Sequence, residues 1–285
     1  MTRGPLGLCA TDVIRYRSGV INKECVVGVG LAGFGTVGSG VWNTLVRNAG
    51  LISERVGPSL HFEIRQIVVR DPEKRREAEA PAELFTTDWK SMVENPEVEI
   101  VVELIGGPTE AFELVSASLE AGKPVVTGNK ALLAERGAEI FSLARLHQTP
   151  VYFEAAVAGG IPIIKAARES FVANRIDLIS GIINGTSNYL LMRMTEAELE
   201  YSSALREAKE LGYAEADETL DVNGWDAAHK AMLLATIVHG FLIDPGDVYV
   251  RGIEYVRPLD IRFAKDLGYV VKLLCIVRKH DDGSI

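Results

Sequence analysis

The chain has 285 residues, 47% of them hydrophobic and 24% charged, with 39 acidic against 30 basic side chains and a formal charge of −9. That balance is globular, and the length accommodates two domains of ordinary size. The negative charge argues against nucleic acid as a partner, and no apolar run reaches the length of a membrane span. Three cysteines, Cys9, Cys25 and Cys275, lie far apart with no CxxC or metal-ligand spacing. They read as reduced thiols in a cytoplasmic protein. Residues 1–24 lack the apolar core of a secretory signal. Arg3, Arg15, Arg17 and Lys23 leave a transit-like leader open, but an irregular extension is the expectation.

Cys25–Leu31 is a short β-branched run of the kind that forms a buried parallel strand. It leads through Gly33-Phe34-Gly35-Thr36-Val37-Gly38 toward an amphipathic helix carrying Val41, Leu45 and Val46. Gly33, Gly35 and Gly38 thus satisfy GxGxxG in its strand–turn–helix context. The first permits the turn, the second lets backbone approach a pyrophosphate, and the third allows close helix packing. The helix N-terminus offers N–H groups to phosphates. Extra glycines at 28, 30 and 40 dilute the pattern, since glycine-rich turns also occur without a ligand.

A second strand, Phe62–Val69, ends at Arg70-Asp71, with Lys74 and Arg75 close behind. Arginine there can pair bidentately with a 2′-phosphate, which favours NADP, while Asp71 leaves NAD open through the ribose hydroxyl. A short helix near 88–94, a strand Ile100–Leu104 and a helix Glu110–Ala121 follow, with Gly106-Gly107 after the strand. A further strand, Pro124–Thr127, runs into Gly128-Asn129-Lys130. Lys130 starts a helix, where a cation opposes the dipole, so local energetics do not explain it. Val151–Glu154 closes a nucleotide-binding domain spanning 25–154.

From residue 155 the pattern changes. Small residues lead to a helix with Pro162 at its start. A strand, Arg175–Ile183, precedes Asn184-Gly185-Thr186-Ser187-Asn188-Tyr189, and Thr195-Glu196-Ala197-Glu198 reads as the capped start of a helix reaching Leu211. An acidic loop then carries Glu215, Asp217, Glu218 and Asp221. Asn223 is the expected N-cap of the next helix, whose core face is Ala227, Ala231, Leu234, Val238 and Phe241. Asp226 and Lys230 are four apart on it; alone, such a pair describes a surface contact of about 0.3–0.5 kcal/mol. Strands at 248–253 and 270–277 flank a helix at 259–267, and Asp281-Asp282-Gly283-Ser284 reads as a hairpin turn.

Taken together, Gly212-Tyr213, a loop acid, and Asp221-x-x-Gly224-x-Asp226-x-x-x-Lys230 resemble the signature of homoserine dehydrogenases. The segments around Glu103-Leu-Ile-Gly-Gly107 and Thr127-Gly-Asn-Lys130 resemble the same family. One departure is Asp217-Glu218, where the family usually has Asp-Pro. The resemblance implies an α/β fold: a Rossmann-type parallel sheet followed by an α+β catalytic and dimerisation domain over 155–285. It covers most of 26–277. Family members continue beyond that point, so the chain reads as truncated there, and a homodimer is expected once the missing segment is supplied.

The implied reaction is reversible reduction of L-aspartate 4-semialdehyde to L-homoserine with NADPH or NADH. The catalytic residues would be Lys230, Lys130 and Asp226, with Glu215, Asp221 and Asp226 on the substrate. The nucleotide would lie on Gly33, Phe34, Gly35, Thr36, Val37, Gly38, Arg70, Lys130 and Gly185. Glu154, Val157, Gly159 and Ile161 would gather around a monovalent cation such as sodium, although a plain tight connection reads equally well there. Two rivals stay open: another NADP-dependent reductase, and a catalytically inactive NADP-binding regulatory module. A thiol-dependent semialdehyde dehydrogenase is disfavoured, because no cysteine sits at a cleft position.

Overall fold

A computed structural model describes residues 25–57, 59–74, 78–214, 217–240, 243–280 and 282–285. Expectations placed on 1–24, Arg75, Glu215, Phe241 and Asp281 lie outside the described residues. The chain divides into two compact units between Ala155 and Ala156.

In the first unit, β1 (Cys25–Ala32), β2 (Leu60–Val68), β3 (Phe85–Thr86), β4 (Ile100–Glu103), β5 (Val125–Thr127) and β6 (Val151–Tyr152) form one parallel sheet. Its order is 3-2-1-4-5-6, so the order reverses between β1 and β4. In such sheets ligands bind at the carboxyl ends of the strands beside that reversal. Helices α1 (Thr36–Arg47), α2 (Ala49–Val56), α3 (Trp89–Glu94), α4 (Thr109–Glu120) and α5 (Lys130–Leu146) connect the strands. Leu31, Ile67, Val101 and Val125 are fully buried in the sheet. Helix α4 turns Ala111, Leu114, Val115, Ser118 and Leu119 inward, the 3.6-residue stripe that a sheet-covering helix needs.

The second unit contains α6 (Ile163–Lys165), which runs on as a π-helical turn over 166–170, then β7 (Leu178–Gly181), α7 (Gly185–Glu196), α8 (Tyr201–Glu210), α9 (Thr219–Val222), α10 (Trp225–His239), α11 (Pro258–Asp266) and β8 (Cys275–Arg278). Strands β7 and β8 pair antiparallel, with Ile179 opposite Val277. Leu190, Leu191, Met194, Ala204, Ala208, Val222, Ile253 and Ile261 form its core. Glu207 on α8 ties α7 down by accepting from Arg193 Nε at 2.6 Å and from the Tyr189 hydroxyl at 2.6 Å.

Several sequence expectations are corrected here. Helix α1 begins at Thr36, so Gly38 and Gly40 lie inside it rather than before it. Pro162 occupies the N-cap of α6 rather than its first turn. Thr195 does not start a helix: it lies near the end of α7, where its hydroxyl donates back to Leu191 O at 2.6 Å. Helix α8 starts at Tyr201. The N-cap of α10 is Gly224 (φ 91°), while Asn223 Oδ1 accepts from Trp225 N at 3.0 Å. On α10, Ala227 and Leu234 are buried as expected but Ala231 and Val238 are only half-buried, and Met232, Leu233 and Ala235 are buried instead. The segment 248–253 is not a strand; it lies on the α9–α10 turn, with Ile253 N donating to Val222 O at 2.8 Å. Both β7 and β8 are shorter than their apolar runs, since they extend only as far as they pair.

Candidate active site

At the carboxyl end of β1 the three glycines differ in what surrounds them. A Cβ on Gly33 (φ 99°) would stand 2.4 Å from Leu104 O, and one on Gly38 would stand 2.1 Å from Gly33 O. A Cβ on Gly35 would meet nothing within 4 Å. The first and third are therefore packing requirements of the protein, and the second faces open space at the N-terminus of α1. No side chain caps that terminus. Thr36 and Val37 are exposed in the first turn, whereas the Phe34 ring is core, edge-on to Phe85 at 5.4 Å, which leaves its backbone for a ligand. Open space at Gly35 before an uncapped helix start fits a pyrophosphate. Two substitutions should separate these roles. Gly38→Ala should destabilise by about 1–3 kcal/mol through overpacking against backbone. Gly35→Ala should fold with a smaller loss yet bind nucleotide at least about tenfold more weakly, because backbone can no longer approach the phosphates. Thermal melts with nucleotide titration check both; the reverse pattern would contradict the assignment.

Beside this turn lies a buried network the sequence reading did not single out. Glu103, at the end of β4, has no exposed surface. Its Oε1 accepts from Ile105 N at 2.9 Å and its Oε2 from Thr127 Oγ1 at 2.5 Å, joining the ends of β4 and β5. Thr127 Oγ1 accepts in turn from Asn129 N at 2.9 Å. Asn129 Nδ2 donates to Gly107 O at 2.8 Å, and its Oδ1 caps α5 by accepting from Leu132 N at 3.0 Å. Lys130, the first residue of α5, is thereby held at this edge of the sheet. The signal was present: a glutamate ending an apolar buried strand needs a reason. Arg70 follows β2 with its side chain 83% exposed, 4.0 Å from Glu110 on α4. Asp71 instead accepts from Glu73 N at 2.9 Å, in a local turn.

The second unit assembles the other candidate residues. Asp226, in the first turn of α10, is 1% exposed. Its Oδ2 accepts from Lys230 Nζ at 2.6 Å, and that ammonium also donates to Ile183 O at 2.7 Å. The pair is thus an interior one, not the surface contact that spacing alone describes. Asn184, which caps α7 by accepting from Ser187 N at 2.7 Å, donates through Nδ2 to Asp226 Oδ2 at 2.8 Å and to Asp221 Oδ1 at 2.7 Å. Ser187 Oγ donates to Asp221 O at 2.6 Å, fixing α9 on α7. The unusual Asp217-Glu218 has a local use. Asp217 accepts from Thr219 N at 3.1 Å at the start of α9, and the Thr219 hydroxyl first and then this backbone N–H hold its carboxyl below the usual range. Glu218 pairs with Lys209 at 2.6 Å, which does the same for it. Tyr213 stacks on Tyr189 at 4.4 Å, and its carbonyl accepts from Thr186 Oγ1 at 3.0 Å. Gly185 opens α7 and is exposed.

The remaining candidates are more dispersed. Glu154 lies in a 3-10 turn over 154–156, Val157 is buried, and Gly159 and Ile161 are exposed. The backbone between them is left-handed at Ala158 (φ 51°) and Gly160 (φ 82°). Among the described residues no cluster of three or more His, Cys, Asp or Glu could hold a metal ion, a donor set that a carbonyl-lined cation site does not require. Cys275 is buried in β8, and burial pushes its thiol up to about 11, so it is no nucleophile.

Comparison with known proteins bears on both units. The family model for the NAD binding domain of homoserine dehydrogenase matches residues 33–154, and that for homoserine dehydrogenase matches 162–282. Homoserine dehydrogenase of Pseudomonas aeruginosa is 48% identical over 257 residues, 90% of this chain and 58% of that protein. The crystal structure of a homoserine dehydrogenase from Thiobacillus denitrificans superposes with a TM-score of 0.84 at 44% identity, covering 91% of this chain and 59% of that one. A protein of Archaeoglobus fulgidus assigned as a homoserine dehydrogenase superposes with a TM-score of 0.78 at 31% identity, and the match covers 81% of its length. The chain belongs to the homoserine dehydrogenase family. It spans a little under three fifths of the length of the curated homoserine dehydrogenases it matches. Within the family framework, the two matched regions hold the glycine turn with its glutamate network and the Asp226–Lys230 pair, respectively.

Proposed function

We propose that the protein catalyses the reversible NADPH- or NADH-dependent reduction of L-aspartate 4-semialdehyde to L-homoserine, in the biosynthesis of threonine, methionine and isoleucine. The observation that carries this reading is the buried Asp226–Lys230 pair with Asp221 beside it, in a chain whose other unit has the Rossmann sheet and its open glycine turn. When bound, the reduced nicotinamide supplies a hydride to the aldehyde carbon. Lys230 commits two of its three N–H groups to Asp226 and Ile183, which aims the ammonium and leaves one donor for the substrate oxygen. As negative charge grows on that oxygen, Lys230 stabilises it and passes it a proton, giving the alcohol; in the oxidative direction the lysine accepts that proton. Asp226 orients Lys230. Asp221 and Glu215 bind the substrate, with the Glu215 carboxylate on the substrate's ammonium group, and Lys130 assists near the reacting carbonyl and the cofactor.

The nucleotide would be held by the backbone at 33–38, with Gly185 and Lys130 near it, and NADP is the reading favoured by Arg70. Its guanidinium is exposed at the end of β2, with Glu110 only loosely alongside, whereas Asp71 is engaged in its own turn. Arg70→Ala should weaken NADPH binding far more than NADH binding, since only the former carries the 2′-phosphate. Equal losses in a fluorescence titration would remove Arg70 from that role. Glu154, Val157, Gly159 and Ile161 are the candidates for a monovalent cation, held mainly through carbonyls around the left-handed Ala158 and Gly160. The exposed Leu178 and Ile276 on the outer face of β7–β8 support a homodimer through this sheet. Among the described residues no helix is long and apolar enough to cross a membrane, which fits a cytoplasmic enzyme. Steady-state NADP⁺ reduction driven by L-homoserine tests the activity in the intact protein. Absence of turnover by a folded, nucleotide-binding sample would leave the regulatory-module reading standing.

A further inference from the structure

The β7–α7 junction holds both members of the Asp226–Lys230 pair. Ile183 takes the ammonium through its carbonyl, and the next residue, Asn184, takes the carboxylate through its amide. Asn184 is 5% exposed, and all three of its hydrogen-bonding functions are in use. One N–H goes to Asp221 on α9, the other to Asp226 on α10, and the oxygen caps α7. Two carboxylates therefore converge on a single nitrogen. Capping alone explains only the oxygen; a serine or aspartate would cap as well. The donor side of the amide is what a two-carboxylate cluster requires, because like charges this close repel unless donors lie between them.

We propose that Asn184 is a positioning residue of the reaction: its amide holds Asp221 and Asp226 together and, through Asp226 Oδ2, sets where Lys230 presents its proton. The charged groups it acts on are Asp221 from α9 and, from α10, Asp226 directly and Lys230 at one remove. This inference rests on the dehydrogenase reading for its kinetic consequence, though not for its geometry.

Asn184→Ser keeps an oxygen to cap α7 but replaces the two amide N–H groups with one shorter O–H, which can reach at most one of the carboxylates, so it tests the bridge with the helix start preserved. Asn184→Asp also keeps the cap but sets a third carboxyl against the other two. In the intact protein, Asn184→Ser should fold, bind NADP as wild type does, and lose about 10–100-fold in kcat/KM, with kcat carrying most of the loss, since a misplaced proton donor is felt in the transition state. In Asn184→Asp the acid limb of the pH profile of kcat/KM should move upward by about one unit or more, because a carboxyl crowded by carboxyls ionises less readily. A third readout is independent of turnover. In 13C NMR of the aspartate carboxyls, the midpoint of Asp226 should rise in Asn184→Ser relative to wild type. If wild type fails to oxidise homoserine but this midpoint still moves, the activity reading fails and the bridge stands. If a folded Asn184→Ser keeps kcat within about threefold, or shows unmoved carboxyl titrations, Asn184 is a helix cap and the proposal is overturned.

Discussion

Replacing Lys230 by glutamine should lower kcat for homoserine oxidation by about 10²–10⁴-fold, the usual loss when a general acid–base group is removed. Glutamine is the informative choice because its amide can still donate toward Asp226 and Ile183, the two groups that hold the ammonium. Alanine would take the ammonium away from the buried Asp226 carboxylate, and breaking an interior ion pair from one side costs about 3–5 kcal/mol. That loss would confuse folding with chemistry. Lys230→Arg should keep the charge without restoring the rate, since guanidinium does not release its proton near neutrality. The opposite signature is expected at Glu215, assigned to a part of the substrate that does not react. Its replacement by glutamine should raise KM for homoserine more than it lowers kcat. A folded, NADP-binding Lys230→Gln with near-normal kcat would move the proton donor elsewhere, with Lys130 next in line.

The second large effect is on stability. Glu103→Ala should destabilise the protein by about 3–5 kcal/mol, a large share of the 5–15 kcal/mol that typically separates folded from unfolded chains. The substitution strips the acceptor from the half-buried Ile105 N, just past β4, and from the buried Thr127 Oγ1, and leaves a cavity where the carboxyl stood. Buried donors without acceptors cost about 1–3 kcal/mol each. Glu103→Gln should fall between. Its amide can still accept from Ile105, but its N–H₂ then meets a Thr127 hydroxyl already receiving Asn129 N. Nucleotide affinity should fall with stability, because the same bonds hold the loop at 105–107 and the start of α5. Urea unfolding measures the first part. A Glu103→Ala protein within about 1 kcal/mol of wild type would show that the edge relaxes around the missing carboxyl.

What was readable in the amino-acid sequence follows from how local each requirement is. Gly33 and Gly38 could be read because their constraint arises within a few residues, from a turn and from a helix packed on it. The parallel sheet could be read because strands covered on both faces are uninterrupted apolar runs. The pair Asp226–Lys230 could be read as a spacing but not as an interior pair, since nothing on α10 itself reveals what lies over it. Asn184 was visible only as a residue between a strand and the stretch that follows it. Its partners stand 37 and 42 residues away, and their geometry exists only once α7, α9 and α10 are packed. Thr195 misled because a Thr-x-x-Glu spacing is the same whether the hydroxyl caps a new helix or, as here, bonds back within an old one. The run at 248–253 misled because β-branched residues also suit an extended segment laid on a helical turn, and a strand needs a partner that composition does not supply.

The central claim is that this protein moves a hydride to an amino-acid aldehyde and supplies the proton for its oxygen. Incubating the intact protein with aspartate 4-semialdehyde and NADPH carrying deuterium at the transferred position, then weighing the product by mass spectrometry, tests that claim most directly. The account predicts homoserine heavier by one mass unit, formed in step with NADPH consumption and slowed in Lys230→Gln by the same factor as homoserine oxidation. NADPH bound but not consumed, or consumed without deuterium appearing in homoserine, would contradict it.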